Sequence, residues 1–253
     1  MLCIKSLSER LTLALLLALA LGACKPEPPG PDPNLQEIEL QVPAHFPKPE
    51  IPADNPLTPA KISLGKKLFY DPLLSKDRSI SCGSCHQAAS GFSDPRRLSR
   101  GVNNALGTRN SMPIMNLAYA RSFFWDGSNP SLETQALFPI EAHFEMNNRV
   151  DTVVRRLRAS AEYRELFAYV YGDTALTVKR LTDALASFQR SMLSYGSKFD
   201  RFMERGMDSA VFSAQEWRGY KLFFMERNGA HAECFHCHGG FNFDDPSGTF
   251  RNN

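Results

Sequence analysis

The chain has 253 residues, 43% of them hydrophobic and 22% charged, with a formal net charge of +2. That length and apolar content suit one large or two small packed domains. The near-neutral balance, without a concentrated basic stripe, excludes a nucleic-acid binder, and the densest basic run, Arg155-Arg156-Leu157-Arg158, reads as a solvated helix face.

The first residues read as a targeting segment. Lys5 and Arg10 precede the apolar run Leu11 to Leu21, which ends at Gly22-Ala23-Cys24. A charged start, a short apolar stretch and small residues at the end describe a secretory signal, and the run is too short to span a bilayer. Leu21-Gly22-Ala23-Cys24 also resembles a bacterial lipobox, so residues 1–23 are expected to be removed and Cys24 to be lipidated as a membrane anchor. Residues 24–56 read as a proline-rich tether, with five prolines between Lys25 and Asn34 and more through Pro59. Inside it, the alternation from Leu35 to Val42 predicts a short strand.

A helix is expected next, with Thr58 as its cap and Pro59 at the first helical position. It carries Leu64-Gly65-Lys66-Lys67-Leu68-Phe69 and leads to Cys82-Gly83-Ser84-Cys85-His86. Further helical patterns cover Val150 to Leu157 and Tyr163 to Val170, and Val178, Leu181, Leu185, Phe188 and Met192 make one apolar stripe. The Met and Phe residues of these stripes are read as core. Ser213-Ala214-Gln215-Glu216 is a capping box opening another helix. That helix carries Arg218-Gly219-Tyr220-Lys221-Leu222-Phe223 and leads to Cys234-Phe235-His236-Cys237-His238.

The two segments are an internal repeat, with 17 positions from Gly65 to Cys82 and 15 from Gly219 to Cys234. Cys-x-x-Cys-His is the attachment signature of c-type haem. Two thiols add across the two vinyl groups, the two-residue gap places both sulfurs along one porphyrin edge, and the following histidine lies under the iron. A thioredoxin-like dithiol would need a βαβ context that is missing here. A zinc site would leave the histidine after each pair unexplained. The expected cofactors are therefore two covalent haems c, bound by Cys82, Cys85 and His86 and by Cys234, Cys237 and His238. No strong β pattern appears after residue 50. The expected fold is mostly α, with two cytochrome c-like domains at 57–205 and 206–253, the second incomplete.

From about residue 57 onward the sequence resembles the bacterial di-haem cytochrome c peroxidases and their MauG-type relatives. The resemblance rests on Leu64 to Ser75, the first haem motif, Arg109-Asn110-Ser111-Met112-Pro113, Phe124-Trp125-Asp126-Gly127, Gln135 to Ile140 and Glu145-Met146. It implies that peroxide reacts at the first haem and electrons enter at the second. It also implies Trp125 on the electron route between them, Gln135 and Glu145 in the distal pocket, and Asn110 as a candidate calcium ligand. A carboxylate beside an open iron face can take a proton from the inner peroxide oxygen and return it to the outer one. Burial there should raise the pKa of Glu145.

The resemblance further implies hydrogen peroxide as substrate, a small donor such as cytochrome c or a cupredoxin, a periplasmic location and a homodimer. Many of these peroxidases carry an iron-capping histidine in the loop after the first motif. Here Val102 stands in its place, as a non-ligating residue does in MauG-type enzymes, which predicts an open first iron. The family also continues well past the second motif, to a methionine in peroxidases or a tyrosine in MauG-type enzymes on the second iron. Three readings follow: a peroxidase, a MauG-type oxidant of a partner protein, and a di-haem carrier without catalysis.

Overall fold

A computed structural model describes residues 31–224 and 234–243. The expected signal segment and Cys24 lie outside the described residues. Among the described residues there is no β-strand, only isolated bridges such as Gln87 with Ser93. No described helix is long and apolar enough to cross a membrane.

Helix α1 spans Pro59–Tyr70. Thr58 Oγ1 accepts the Lys61 N–H at 3.1 Å, Pro59 sets the first turn, and Pro72 disfavours helical backbone at Asp71, where the helix stops. Two short helices follow the central loops, α2 over Leu132–Gln135 and α3 over Leu137–Glu141. Helices α4, Val150–Ala159, and α5, Ala161–Tyr171, meet at Ser160, which ends one and caps the other. Helix α6 spans Val178–Ser191, α7 spans Lys198–Glu204 and α8 spans Ala214–Phe224. The expected box closes α8: the Ser213 N–H donates to Glu216 Oε2 at 2.8 Å, and the Glu216 N–H donates to Ser213 Oγ at 3.2 Å.

The core forms where α1 crosses α6. Leu64, Leu68 and Phe69 of α1 bury against Leu181, Ala184, Leu185 and Phe188 of α6. Val153 and Leu157 of α4 and Tyr163 and Phe167 of α5 close the cluster. The α1–α6 crossing is backbone on backbone: a Cβ at Gly65 would stand 1.9 Å from the Ala184 carbonyl oxygen. Its repeat counterpart, Gly219 of α8, has no such neighbour within 4 Å.

Three expectations are corrected. Leu35 to Val42 is not a strand. Leu35 and Ile38 are 40% and 39% exposed, so the alternation buries no face, and among the described residues no neighbouring strand pairs with it. The residues read as tether are partly packed. Phe46 is buried and meets Phe241 edge-on at 4.6 Å, while Asn55 is 1% exposed and donates to Glu133 Oε1 at 2.8 Å. The arginine run is not a free face. Arg156 donates to the carbonyls of Leu73, Ser75 and Lys76, and Arg158 to that of Leu176. These carbonyls belong to loops without ladder partners, and the guanidinium forks satisfy them.

Gly65→Ala tests the crossing. Helix propensity alone favours the alanine by up to about 1 kcal/mol, but separating two packed backbones costs more, so a net loss of about 2 kcal/mol is expected. Thermal denaturation reads this as a lower Tm, and a Tm at or above that of the parent chain would contradict the tight crossing.

Candidate active site

One cavity of about 790 Å³ gathers Cys82, Cys85, His86, Asn110, Trp125, Gln135 and Glu145 on its walls. Phe69 of α1, Leu185 of α6 and Met112, Ile114, Met115 and Leu117 of the central loop supply much of its apolar surface. This size, with few polar groups on mostly apolar walls, is typical of a cofactor pocket.

The first haem motif is a single tight turn over Cys82–Ser84. The Cys85 and His86 N–H groups both donate to the Cys82 carbonyl, at 3.1 and 3.0 Å, so both thiols and the imidazole sit on one turn. His86 Nδ1 lies 3.1 Å from the Phe92 carbonyl oxygen. A carbonyl only accepts, so Nδ1 carries the proton and Nε2 keeps its lone pair for a metal. Gly91 and Phe92 turn that carbonyl back toward the ring. Both are left-handed, at φ 64 and 56, and Phe92 is a bulky residue rarely found there. Burial lowers the pKa of His86 and favours the neutral ring that binds metals. Burial raises both thiols, Cys82 to about 12.

The second motif repeats this backbone. Cys237 and His238 donate their N–H groups to the Cys234 carbonyl at 3.2 and 2.8 Å. His238 Nδ1 lies 3.4 Å from the carbonyl of Phe243, again a left-handed phenylalanine at φ 59. Cys237 and His238 are exposed, whereas the first motif is half-buried. Asn242, just beyond, reaches the wall of the first cavity and donates to the Asn116 carbonyl at 3.3 Å. The donor set and histidine orientation of both motifs fit a c-type haem, and the first also has a cavity to receive it.

Glu145 stands in the turn after α3, its N–H donating to the Ala142 carbonyl at 2.9 Å. Burial pushes its carboxyl up to about 6. Gln135 ends α2, which the Glu133–Arg190 ion pair ties to α6, with Arg190 Nη2 at 2.9 Å from Glu133 Oε2. Trp125 lies on the cavity wall with 59% exposure, and its indole N–H donates to the Asn110 carbonyl at 2.9 Å. The Asn110 amide nitrogen donates to the carbonyls of Asp94 and Arg96, at 3.3 and 2.8 Å. Among the described residues no group of three or more His, Cys, Asp or Glu side chains could hold a metal ion. Val102 is buried at 2% exposure. His143 is exposed and stands off the cavity wall.

Sequence reasoning missed the Phe92 carbonyl, which a local turn through Gly91 brings back to His86, and the approach of Gly101 to Glu145, which joins segments that meet only in the folded chain.

A family model described as di-haem cytochrome c peroxidase matches residues 59–208. The methylamine utilization protein MauG of Methylorubrum extorquens is 41% identical over 208 residues, covering 81% of this chain and 57% of that protein. The cytochrome c551 peroxidase of Nitrosomonas europaea is 34% identical over 197 residues, covering 74% of this chain and 57% of that protein. The crystal structure of a MauG-like protein associated with microbial copper homeostasis superposes with a TM-score of 0.71 at 31% identity, over 83% of this chain and 61% of that one. The chain thus spans somewhat more than half the length of these relatives. A turn holding two thiols and an oriented imidazole on a cofactor-sized cavity, and a family match over most of that region, lead to one conclusion: the chain belongs to the di-haem cytochrome c peroxidase family.

Proposed function

We propose that the protein reduces hydrogen peroxide to water at the first haem site, with electrons from a small redox protein. One observation carries this reading: a carboxyl raised by burial, Glu145, shares a cavity with the Cys82-Cys85-His86 turn. Cys82 and Cys85 would hold the haem by thioether bonds and His86 would ligate its iron through Nε2. When bound, the haem would supply the redox chemistry that passes two electrons to peroxide. Glu145 then handles the protons. Its carboxylate takes the proton from one peroxide oxygen and delivers it to the other, which leaves as water. A pKa near 6 suits both halves of that transfer. Gln135 would hydrogen-bond the peroxide substrate in the cavity, and Trp125 would stand on the electron path.

The overall balance is one peroxide, two electrons and two protons giving two waters. The electrons come from a reduced cytochrome c or a cupredoxin by way of a second haem, held by Cys234, Cys237 and His238. The proposal includes two cytochrome c-like domains, residues 57–205 and from 206 onward. It also includes export to the periplasm, a lipid anchor at Cys24, and assembly as a homodimer. Asn110 is proposed as a calcium ligand through its side-chain oxygen. Such oxygens are ligands of the kind calcium takes.

A second reading is a MauG-type enzyme that oxidises a partner protein. Val102 favours it. Steady-state peroxide consumption with a reduced small donor separates the two. Brisk turnover supports the peroxidase, and a long-lived oxidised state with sluggish turnover supports the alternative.

Glu145→Gln should slow the reaction of the haem-loaded protein with peroxide about 100-fold. The parent rate should rise with pH around a midpoint at or above about 6, because the ionised carboxyl takes the first proton. Stopped-flow measurements across pH check both, and an unchanged rate in the variant would remove Glu145 from the mechanism. Electron paramagnetic resonance of the fully oxidised protein should show a high-spin first haem, since valine offers iron no lone pair. A low-spin ferric signal from that haem would refute an open site.

A further inference from the structure

The loop after the first haem motif bears directly on the segment that carries Glu145. Gly101 is buried, and a Cβ there would stand 2.2 Å from the Phe144 carbonyl oxygen and 2.6 Å from that of Glu145. The next residue, Val102, donates its N–H to the Glu145 carbonyl at 2.9 Å. The loop is itself closed: the Gly101 N–H donates to the Ala105 carbonyl at 2.8 Å and the Gly107 N–H to the Ser99 carbonyl at 3.1 Å. Ser99 Oγ and Ser111 Oγ lie 2.7 Å apart and join it to the cavity wall. On the other side, the Glu145 N–H is held by Ala142, and the Met146 N–H donates to the Pro139 carbonyl at 3.0 Å. The Glu145 backbone is thus gripped from both directions, and on the loop side only a residue without a side chain fits.

We propose that Gly101 is a positioning residue for Glu145, and that residues 99–107 act as a fixed brace that sets how deep the Glu145 carboxyl sits in the cavity. This rests on the reading of Glu145 as the proton-transfer group. Geometry carries it: a backbone hydrogen bond to the carbonyl of the acid itself, beside a contact with no room for a methyl group. An added side chain at 101 must push the Phe144–Glu145 backbone aside, and a displacement of about 1 Å at a reacting group is enough to cost activity. The other titratable groups on the cavity wall are Cys82, Cys85, His86, Arg109 and Asp126. None of them lies on the 142–148 turn, so a shift confined to Glu145 reports on the brace.

The test uses the haem-loaded full chain and its Gly101→Ala, Gly65→Ala and Glu145→Gln variants. The infrared band of the protonated carboxyl that is lost in Glu145→Gln identifies Glu145, and its titration midpoint is the readout. In Gly101→Ala the midpoint should fall by about half a unit or more as the carboxyl regains water. The reaction with peroxide should slow about tenfold. Gly65→Ala, a clash of the same kind against Ala184 and Phe188 rather than the Phe144–Glu145 backbone, should lower Tm and move the midpoint less than Gly101→Ala does. An unchanged midpoint and rate in Gly101→Ala would overturn the brace. A normal peroxide rate in Glu145→Gln would instead overturn the underlying reading of Glu145. Hydrogen exchange of the parent protein decides the matter even if Gly101→Ala fails to fold. The Val102 amide should exchange as slowly as the core helices, and exchange at the rate of an open loop would count against a fixed brace.

Discussion

The closeness of α1 to α6 is the constraint from which the site follows. The two helices touch at their backbones because Gly65 presents no side chain to Ala184. That distance fixes the wall of the cavity, because Phe69 comes from the last turns of α1 and Leu185 and Gln189 from α6. Wider spacing would open the floor of the pocket, and a bulkier residue at 65 would have to separate the helices. Leu68 at 0% and Leu181 at 0% exposure show that little slack exists on either side of the contact. Interiors packed at this density transmit a displacement rather than absorb it.

With no sheet among the described residues, the long loops must be held by other means. Between α1 and α4 the chain runs for some eighty residues with only short helices. Side chains do the joining. Arg156 serves three carbonyls at once, Asn148 donates to the Leu74 carbonyl at 2.9 Å, and Ser93 to that of Ser111 at 2.6 Å. These ties shape the walls of the pocket much as strands would in another fold. The Tyr163 hydroxyl does similar work by donating to Asp71 at the end of α1, where the chain turns toward the haem motif.

Features governed by chemistry within a few residues were legible in the sequence. The haem motifs are one such case, since the spacing of two thiols and an imidazole is imposed by the porphyrin itself. The caps at Thr58 and Ser213 are another, because each bonds to a backbone three residues away. The stripe from Val178 to Phe188 was legible for the same reason, since helical period places it on one face. What could not be read depends on distant segments meeting. Arg156 reaches carbonyls about eighty positions away, and nothing in a run of arginines distinguishes that from a solvated face. The alternation at Leu35 to Val42 failed for the complementary reason: a strand is made by its neighbour, and among the described residues none is there. In the site, the Cys-x-x-Cys-His motifs singled out His86 and His238 and the family resemblance singled out Glu145, but nothing singled out the Phe92 carbonyl beside His86 or Gly101 beside the Glu145 backbone.

If Val102 stands where the resemblance places an iron-capping histidine, the loop after the first motif has a different task. A loop that delivers an iron ligand must let go of it, so its ties to the rest of the cavity have to be weak enough to break during each cycle. A loop with valine at that position has no ligand to deliver and no reason to move. The observed ties agree with the second case. Val102 is buried, its N–H is committed to Glu145, and Gly101 is seated against the neighbouring carbonyl. Breaking them would expose an apolar side chain and leave a buried carbonyl without a donor, at about 1–3 kcal/mol for the carbonyl alone. The same backbone that in a gated enzyme would carry the switch is here bound to the acid. Under the proposed role of Glu145, precision there and mobility of this loop are alternatives, and the ties at 101–102 favour precision.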